Sequence, residues 1–139
     1  MSEYGMFVDE RPAVSGQVGG QDELADAVGV PAFRPEQQDV IDALVAGRDA
    51  LMVVRTGFGK TAVFQAAGLA IGGITVVVYP LRALIADQLD RFQRLGIPAR
   101  PWNSDCSNRS KDETAHLLNS GYQGFVLTTP ESLAPEGEL

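Results

Sequence analysis

The segment ALMVVRTGFGKT, residues 50–61, decides the fold class of this chain. Its first five residues, 50–54, form a continuous apolar run that is short enough for a strand buried on both faces. A turn with two glycines follows, and we expect a helix from Lys60 to about Leu69. A buried strand, a glycine-containing turn and a helix in this order predict a phosphate-binding loop.

The residue types of this loop suit an anion. Gly57 and Gly59 allow the backbone to turn its N–H groups inward, where a side chain would collide, and the helix N-terminus adds partial positive charge. Lys60 can reach the β- and γ-phosphates of a nucleotide, and the Thr61 hydroxyl can ligate Mg²⁺. The strict motif GxxxxGK[ST] would place glycine where the chain has Val54, so an ordinary strand-to-helix turn stays open as an alternative. Kinases, GTPases and motor proteins would all share the motif.

Strands and helices alternate along the rest of the chain. The predicted helices cover about residues 22–28, 35–46, 60–69, 81–95 and 110–119, and the predicted strands about 50–54, 74–79, 99–102 and 124–128. The strand over 74–79 is rich in β-branched residues and is expected to be buried. This alternation implies an α/β fold with a mostly parallel sheet flanked by helices. Residues 1–20 contain four glycines and little apolar periodicity, which predicts a flexible leader before a domain over 21–139.

Composition and charge bound the class of protein. The single cysteine, Cys106, excludes an internal disulfide framework and fits a cytoplasmic setting, and no apolar run approaches the roughly 20 residues of a membrane span. A net charge of −7 argues against nucleic acid as a ligand, but residues 51–111 hold eight basic residues against three acidic ones. Because exposed charges are screened beyond about 10 Å, this basic middle segment matters more for a charged ligand than the total does.

Several segments, taken together, are more specific than the loop alone. They are Phe33-Arg34-Pro35-Glu36-Gln37-Gln38, Gly47-Arg48-Asp49, the loop from Arg55 to Thr61, Val76 to Gln88, and Thr128-Thr129-Pro130-Glu131-Ser132-Leu133. In this order and spacing, residues 25–134 closely resemble the first RecA-like domain of RecQ-type DNA helicases, within the DEAD/DEAH-box-like superfamily 2. The resemblance implies a RecA-like P-loop domain that binds ATP and Mg²⁺.

The resemblance also implies roles for individual residues at the nucleotide. Gln37 matches the glutamine that reads the adenine edge, and Arg34 is similar to the arginine that packs on the adenine ring. Lys60 matches the catalytic phosphate-binding lysine, and Thr61 the Mg²⁺ ligand. The remaining residues of the loop that the resemblance places at the nucleotide are Thr56, Gly57, Phe58 and Gly59. Phe58 stands where close relatives usually have glycine.

Two further segments resemble the parts of the family that touch DNA. The turn Pro80-Leu81-Arg82 follows the second predicted strand, and Thr129-Pro130-Glu131 follows the last one. The resemblance implies that both contact single-stranded DNA on one face of the domain. Trp102 could stack on a base, but we interpret it as an anchor of the core or of a sheet edge.

The chain lacks the Asp-Glu-x-His segment of the superfamily, the second RecA-like domain and that domain's arginine finger. We therefore expect the N-terminal part of a RecQ-like, ATP-dependent 3′–5′ DNA helicase, incomplete at its C-terminal end and inactive alone. The expected partners are DNA and the missing second domain, without a membrane, in the cytoplasm and on the nucleoid when DNA is bound. A stand-alone nucleotide- or nucleic-acid-binding module and a double-stranded DNA translocase of a defence or restriction system stay open as alternatives.

Overall fold

A computed structural model describes residues 5–8 (backbone), 20–55 and 57–133. The chain divides into two compact units, residues 1–71 and 72–139. Within the described ranges, no helix is long and apolar enough to cross a membrane.

The described residues of the first unit form a two-stranded antiparallel sheet and three helices. Strand β1 (Gly5–Val8) pairs with β2 (Ala50–Val53), so that Gly5 lies opposite Val53 and Val8 opposite Ala50. The helices are α1 (Gln21–Ala27), α2 (Pro35–Val45) and α3 (Lys60–Ile71). The sequence did not predict β1, which falls inside the expected leader. The rest of that leader before Gly20 lies outside the described residues.

Helices α2 and α3 pack against each other and form most of the core of this unit. Pro35 occupies the first turn of α2, where its fixed φ and missing N–H are tolerated. Val40 and Ile41 are buried on the inner face of α2. The opposing face of α3 is built mainly from small residues, and those with the lowest exposure are Ala62, Val63, Ala66, Ala67 and Ala70.

The second unit is a three-stranded parallel sheet with helices between its strands. Its elements are β3 (Ile74–Val78), α4 (Arg82–Arg94), β4 (Ala99–Trp102), α5 (Asn108–Asn119), β5 (Gly124–Thr128) and the short α6 (Pro130–Leu133). The strand order is β3-β5-β4, and both pairs are parallel. The predicted α/β fold with a parallel sheet flanked by helices is therefore confirmed.

The core of the second unit centres on β5. Phe125, Val126 and Leu127 are almost fully buried, as expected for the middle strand. The Phe92 ring from α4 lies on Phe125 with a centroid separation of 4.9 Å. Burial of adjacent residues along β5 shows that both faces of this strand are covered.

The prediction that the two apolar runs 50–54 and 74–79 are buried on both faces is wrong. Burial alternates along both strands, with Leu51 and Val53 exposed on β2 and Val76 exposed on β3. Strand β3 is an edge of its sheet, and no described element of its own unit covers the face that carries Ile74, Val76 and Val78. An apolar run therefore indicated a strand here, but not how much of it is covered.

Candidate functional site

The loop between β2 and α3 has the backbone form that its glycines predict. Gly57 and Gly59 have φ values of +86° and +92°, in the region that side chains disfavour. A Cβ atom on Gly57 would meet no atom within 4 Å, so open space lies next to the backbone at this point. Thr56, also predicted to belong to the site, lies outside the described residues.

Lys60 and Thr61 begin α3 directly after this turn. The Lys60 side chain is exposed and Thr61 is half-buried. The first N–H groups of any helix have no i−4 partner within it, and here Val63 N–H donates to the Gly59 carbonyl at 3.4 Å. The exposed ammonium and the positive end of α3 therefore lie together at the start of the helix, an arrangement that can bind phosphate.

Gln37 connects the first turn of α2 to the loop. Its Oε1 accepts a hydrogen bond from Arg34 N–H at 2.8 Å, and its Nε2 donates to the carbonyls of Phe58 at 3.1 Å and Gly59 at 3.3 Å. The side chain is 5% exposed. Its amide thus holds the loop backbone, and its reading of an adenine edge stays a prediction.

Arg34 and Phe58 form a stacked pair beside this connection. The Arg34 guanidinium carbon lies 4.7 Å from the centroid of the Phe58 ring, which is buried. Such a cation–π contact positions the flat guanidinium from one side. Phe58 therefore supports the Arg34 guanidinium from one side. The packing of Arg34 on adenine stays a prediction.

A cavity of about 270 Å³ lies near the N-terminus of α2. Its lining residues are Gln21, Asp22, Ala25, Ala32, Phe33, Pro35 and Gln38. None of the predicted nucleotide residues lines it, although Pro35 directly follows Arg34 and Gln38 directly follows Gln37 in the sequence.

A second set of predicted residues lies in the other unit, where three parallel strands end together. Val78 and Trp102, at the ends of β3 and β4, are both in register with Thr128 at the end of β5. The Thr128 hydroxyl donates to the Trp102 carbonyl at 2.6 Å, and Tyr79 N–H donates to the Thr128 carbonyl at 2.8 Å. The three segments that follow these strands therefore start side by side, the usual place for a ligand in an α/β sheet.

These segments enclose a cleft of about 570 Å³. Five of the six residues predicted to contact DNA line it, namely Pro80, Leu81, Arg82, Thr129 and Glu131. Pro130 does not. Trp102, Ser104, Lys111 and Ser132 also line it, although the sequence did not assign them to the site. Trp102 is 6% exposed, which agrees with its interpretation as an anchor rather than a stacking platform.

The cleft contains charges of both signs. Arg82 Nη1 lies 2.8 Å from Ser104 Oγ and 2.7 Å from Asp105 Oδ1. Hydrogen bonds from its own backbone N–H and from the Thr129 hydroxyl lower the pKa of Glu131, and the Arg82 charge acts in the same direction. Glu131 is therefore ionised at neutral pH.

A signal for the unassigned residues was available in the sequence. Ser104 and Asp105 follow β4 as Arg82 follows β3, and the carboxyl ends of neighbouring parallel strands meet at one edge of a sheet. By this rule the predicted strand over 99–102 places Ser104 at the cleft, and Asp105, the next residue, pairs with Arg82.

Most of the chain matches the model of a known protein family. The model of the DEAD/DEAH box helicase family matches residues 34–136, which include both sites. The chain belongs to the DEAD/DEAH box helicase family. The resemblance to RecQ-type helicases is also confirmed, because the curated relatives of this helicase domain include several such proteins.

Three of these relatives show the extent of the similarity. The chain is 36% identical to the ATP-dependent DNA helicase RecQ of Haemophilus influenzae over 79% of the chain and 18% of the relative. It is 37% identical to the protein of the same name from Synechocystis, over 78% of the chain and 23% of the relative. It is 34% identical to the ATP-dependent DNA helicase Q1 of Rattus norvegicus, over 80% of the chain and 18% of the relative. The helicase-family chain thus spans about a fifth of the length of these relatives.

Proposed function

We propose that this chain provides the ATP-binding part of a RecQ-like, ATP-dependent 3′–5′ DNA helicase. The observation that carries the proposal is the loop over Gly57–Thr61, where two glycines with positive φ lead into a helix that begins with an exposed lysine. The helicase family of the chain and the names of its relatives support ATP and DNA as ligands. No finding favours the stand-alone module or the defence-system translocase.

The residues of the loop fit a nucleotide phosphate and its metal ion. The open space at Gly57 leaves room for an anion against the backbone, and the Lys60 ammonium would bind the β- and γ-phosphates. The half-buried Thr61 hydroxyl is a hard oxygen ligand of the kind that Mg²⁺ takes. When bound, Mg²⁺ would neutralise phosphate charge. Gln37 holds the neighbouring loop backbone through its amide, and the exposed Arg34 guanidinium stacks on Phe58 beside it.

Calorimetric titration of the chain with ATP and Mg²⁺ tests the nucleotide site. Lys60→Ala should abolish binding, because it removes the cation at the helix start. Lys111→Ala removes the same charge from the other unit and should leave binding unchanged. Absence of binding at millimolar ATP, or equal binding by Lys60→Ala and the unsubstituted chain, would contradict the proposal.

We further propose that the cleft at the ends of β3, β4 and β5 binds single-stranded DNA. Its support is the convergence of Pro80–Arg82 and Thr129–Glu131 on one cavity with Arg82 and Lys111 in its wall. Contacts from such cations to phosphates are independent of base sequence and weaken with salt.

Fluorescence anisotropy with a labelled oligothymidylate tests the cleft. Arg82→Ala should weaken binding, whereas Arg94→Ala should not. The two arginines lie on the same helix, but Arg94 pairs with Asp90 at 2.5 Å and does not line the cleft. Equal affinities of the two variants would count against this DNA site.

The remaining expectations extend to the whole protein. A second RecA-like domain would complete the nucleotide site, and the 139-residue chain alone should show no steady ATP turnover. A cytoplasmic location, with association to the nucleoid on DNA, accompanies this proposal. Steady hydrolysis by the purified chain that Lys60→Ala abolishes would refute the inactivity of the chain alone.

A further inference from the structure

Arg82, a cation in the wall of the cleft, is paired with an acidic residue of its own chain. Arg82, the first residue of α4, donates from Nη1 to Asp105 Oδ1 at 2.7 Å and to Ser104 Oγ at 2.8 Å. Asp105 lies in the segment between β4 and α5, three residues after Trp102. The ion pair therefore connects two of the three segments that border the cleft.

A carboxylate oxygen and a phosphate oxygen are the same kind of acceptor for a guanidinium. A DNA phosphate that approaches Arg82 must displace Asp105 or bind beside a negative charge. Both side chains of the pair are more than half exposed, at 53% and 67%, so water screens their attraction. Asp105 can therefore weaken phosphate binding without preventing it.

The other acid near Arg82 is held differently. Glu131 accepts hydrogen bonds from its own backbone N–H and from the Thr129 hydroxyl, and Arg82 acts on it electrostatically. The negative charge of Glu131 therefore repels an approaching phosphate. Asp105 instead occupies Arg82 Nη1, a donor that the phosphate would use. Ser104 is neutral and can bind a phosphate oxygen as a donor.

We propose that Asp105 competes with the phosphates of single-stranded DNA for Arg82 and thereby sets the affinity of the cleft. The proposal rests on the proposed function of the cleft. Asp105 thereby lowers the affinity of the cleft for every anion that needs Arg82, without excluding any of them.

Oligothymidylate binding by the 139-residue chain at low salt tests this competition. Asp105→Asn should raise the affinity about two- to fivefold, the range expected for release of an exposed ion pair. Asp90→Asn is the matched control, since it changes the charge equally and frees Arg94 on the same helix, away from the cleft. It should raise the affinity by less than half as much. In an Arg82→Ala background, the gain from Asp105→Asn should disappear.

The outcomes separate this proposal from the function on which it rests. If Arg82→Ala binds DNA as well as Arg94→Ala does, the cleft itself is not the DNA site. If Arg82→Ala binds more weakly but Asp105→Asn gains no more than Asp90→Asn, the cleft stands and the competition is refuted. A gain that persists without Arg82 also refutes it. Thermal unfolding of each variant shows whether a loss of DNA affinity reflects the site or the fold. Asp105→Ala removes the acceptor entirely, so its gain in DNA affinity should be at least as large as that of Asp105→Asn.

Discussion

Replacement of Gly59 by alanine should destabilise the chain more than the same change at Gly57. Both glycines have nearly the same φ, so alanine at either position carries the same backbone strain, about 1–2 kcal/mol. Their surroundings differ. A Cβ atom at Gly57 meets nothing within 4 Å, whereas one at Gly59 would lie 2.5 Å from Gln37 Nε2.

The contact at Gly59 adds the loss of hydrogen bonds. Gln37 Nε2 must move away from the new methyl group, and it then loses its bonds to the carbonyls of Phe58 and Gly59. At about 0.5–1.5 kcal/mol for each bond, this adds roughly 1–3 kcal/mol. Gly57→Ala should therefore lower the free energy of unfolding by about 1–2 kcal/mol, and Gly59→Ala by about 2–5 kcal/mol.

Urea unfolding followed by circular dichroism measures this difference. Tryptophan fluorescence is unsuitable, because Trp102 is the single tryptophan and lies in the other unit. A Gln37→Ala background completes the double-mutant cycle, and there the excess of Gly59→Ala over Gly57→Ala should vanish. Equal free energies for the two alanine variants, or an excess that survives without Gln37, would refute the role of this amide as the connection between α2 and the loop.

Three further substitutions test the second unit by urea unfolding. Phe92→Ala removes the ring that packs on Phe125 and should lower the free energy of unfolding by about 3–5 kcal/mol. Thr114→Val removes the buried hydroxyl that accepts from Arg100 Nε at 3.1 Å and should lower it by about 1–2 kcal/mol; no change would refute the bond. Burial raises the pKa of Tyr79 to about 12, so the neutral ring stabilises the fold below pH 10, and this stability is lost as the pH rises from 10 to 12. The buried hydroxyl of Tyr79 has no hydrogen-bond partner among the described residues, so Tyr79→Phe should not lower the free energy of unfolding at pH 7. At pH 11 the variant should lose less of this free energy than the unsubstituted chain does, and an equal loss would contradict the prediction.

Local patterns in the sequence were sufficient for most of the elements. Strands β4 and β5 have the predicted bounds, and the predicted helix ends agree with the observed ones to within about two residues. The short strand β1 could not be found in this way. It has four residues, Gly5–Val8, and its partner β2 lies more than 40 residues further along the chain. Nothing in a window of neighbouring residues indicates such a pairing.

The backbone of the phosphate loop could be predicted from the sequence, but the partners of its side chains could not. The positive φ values of Gly57 and Gly59 follow from the motif. A glutamine amide, however, binds an adenine edge and a peptide carbonyl equally well, so the contacts of Gln37 with the loop could not be chosen from residue type. The same holds for Arg34, since a guanidinium stacks on Phe58 as readily as on a base.

The number of basic residues in a segment does not show how many of them are available to a ligand. Residues 51–111 contain eight basic residues, but several are paired with acids on the surface. These pairs are Arg94 with Asp90, and Arg100 and Arg109 with Glu113. A basic segment therefore does not supply all of its cations to one ligand.

The salt dependence of DNA binding measures how many cations the cleft supplies. Arg82 and Lys111 are the basic residues in its wall, so a bound single strand should have about two phosphates neutralised, with a slope of log K against log salt near −1.4. If all eight basic residues of 51–111 took part, the slope would approach about −6. Anisotropy titrations between about 20 and 200 mM salt distinguish the two values. A slope steeper than about −4 would mean that DNA lies across a much wider basic surface than this cleft.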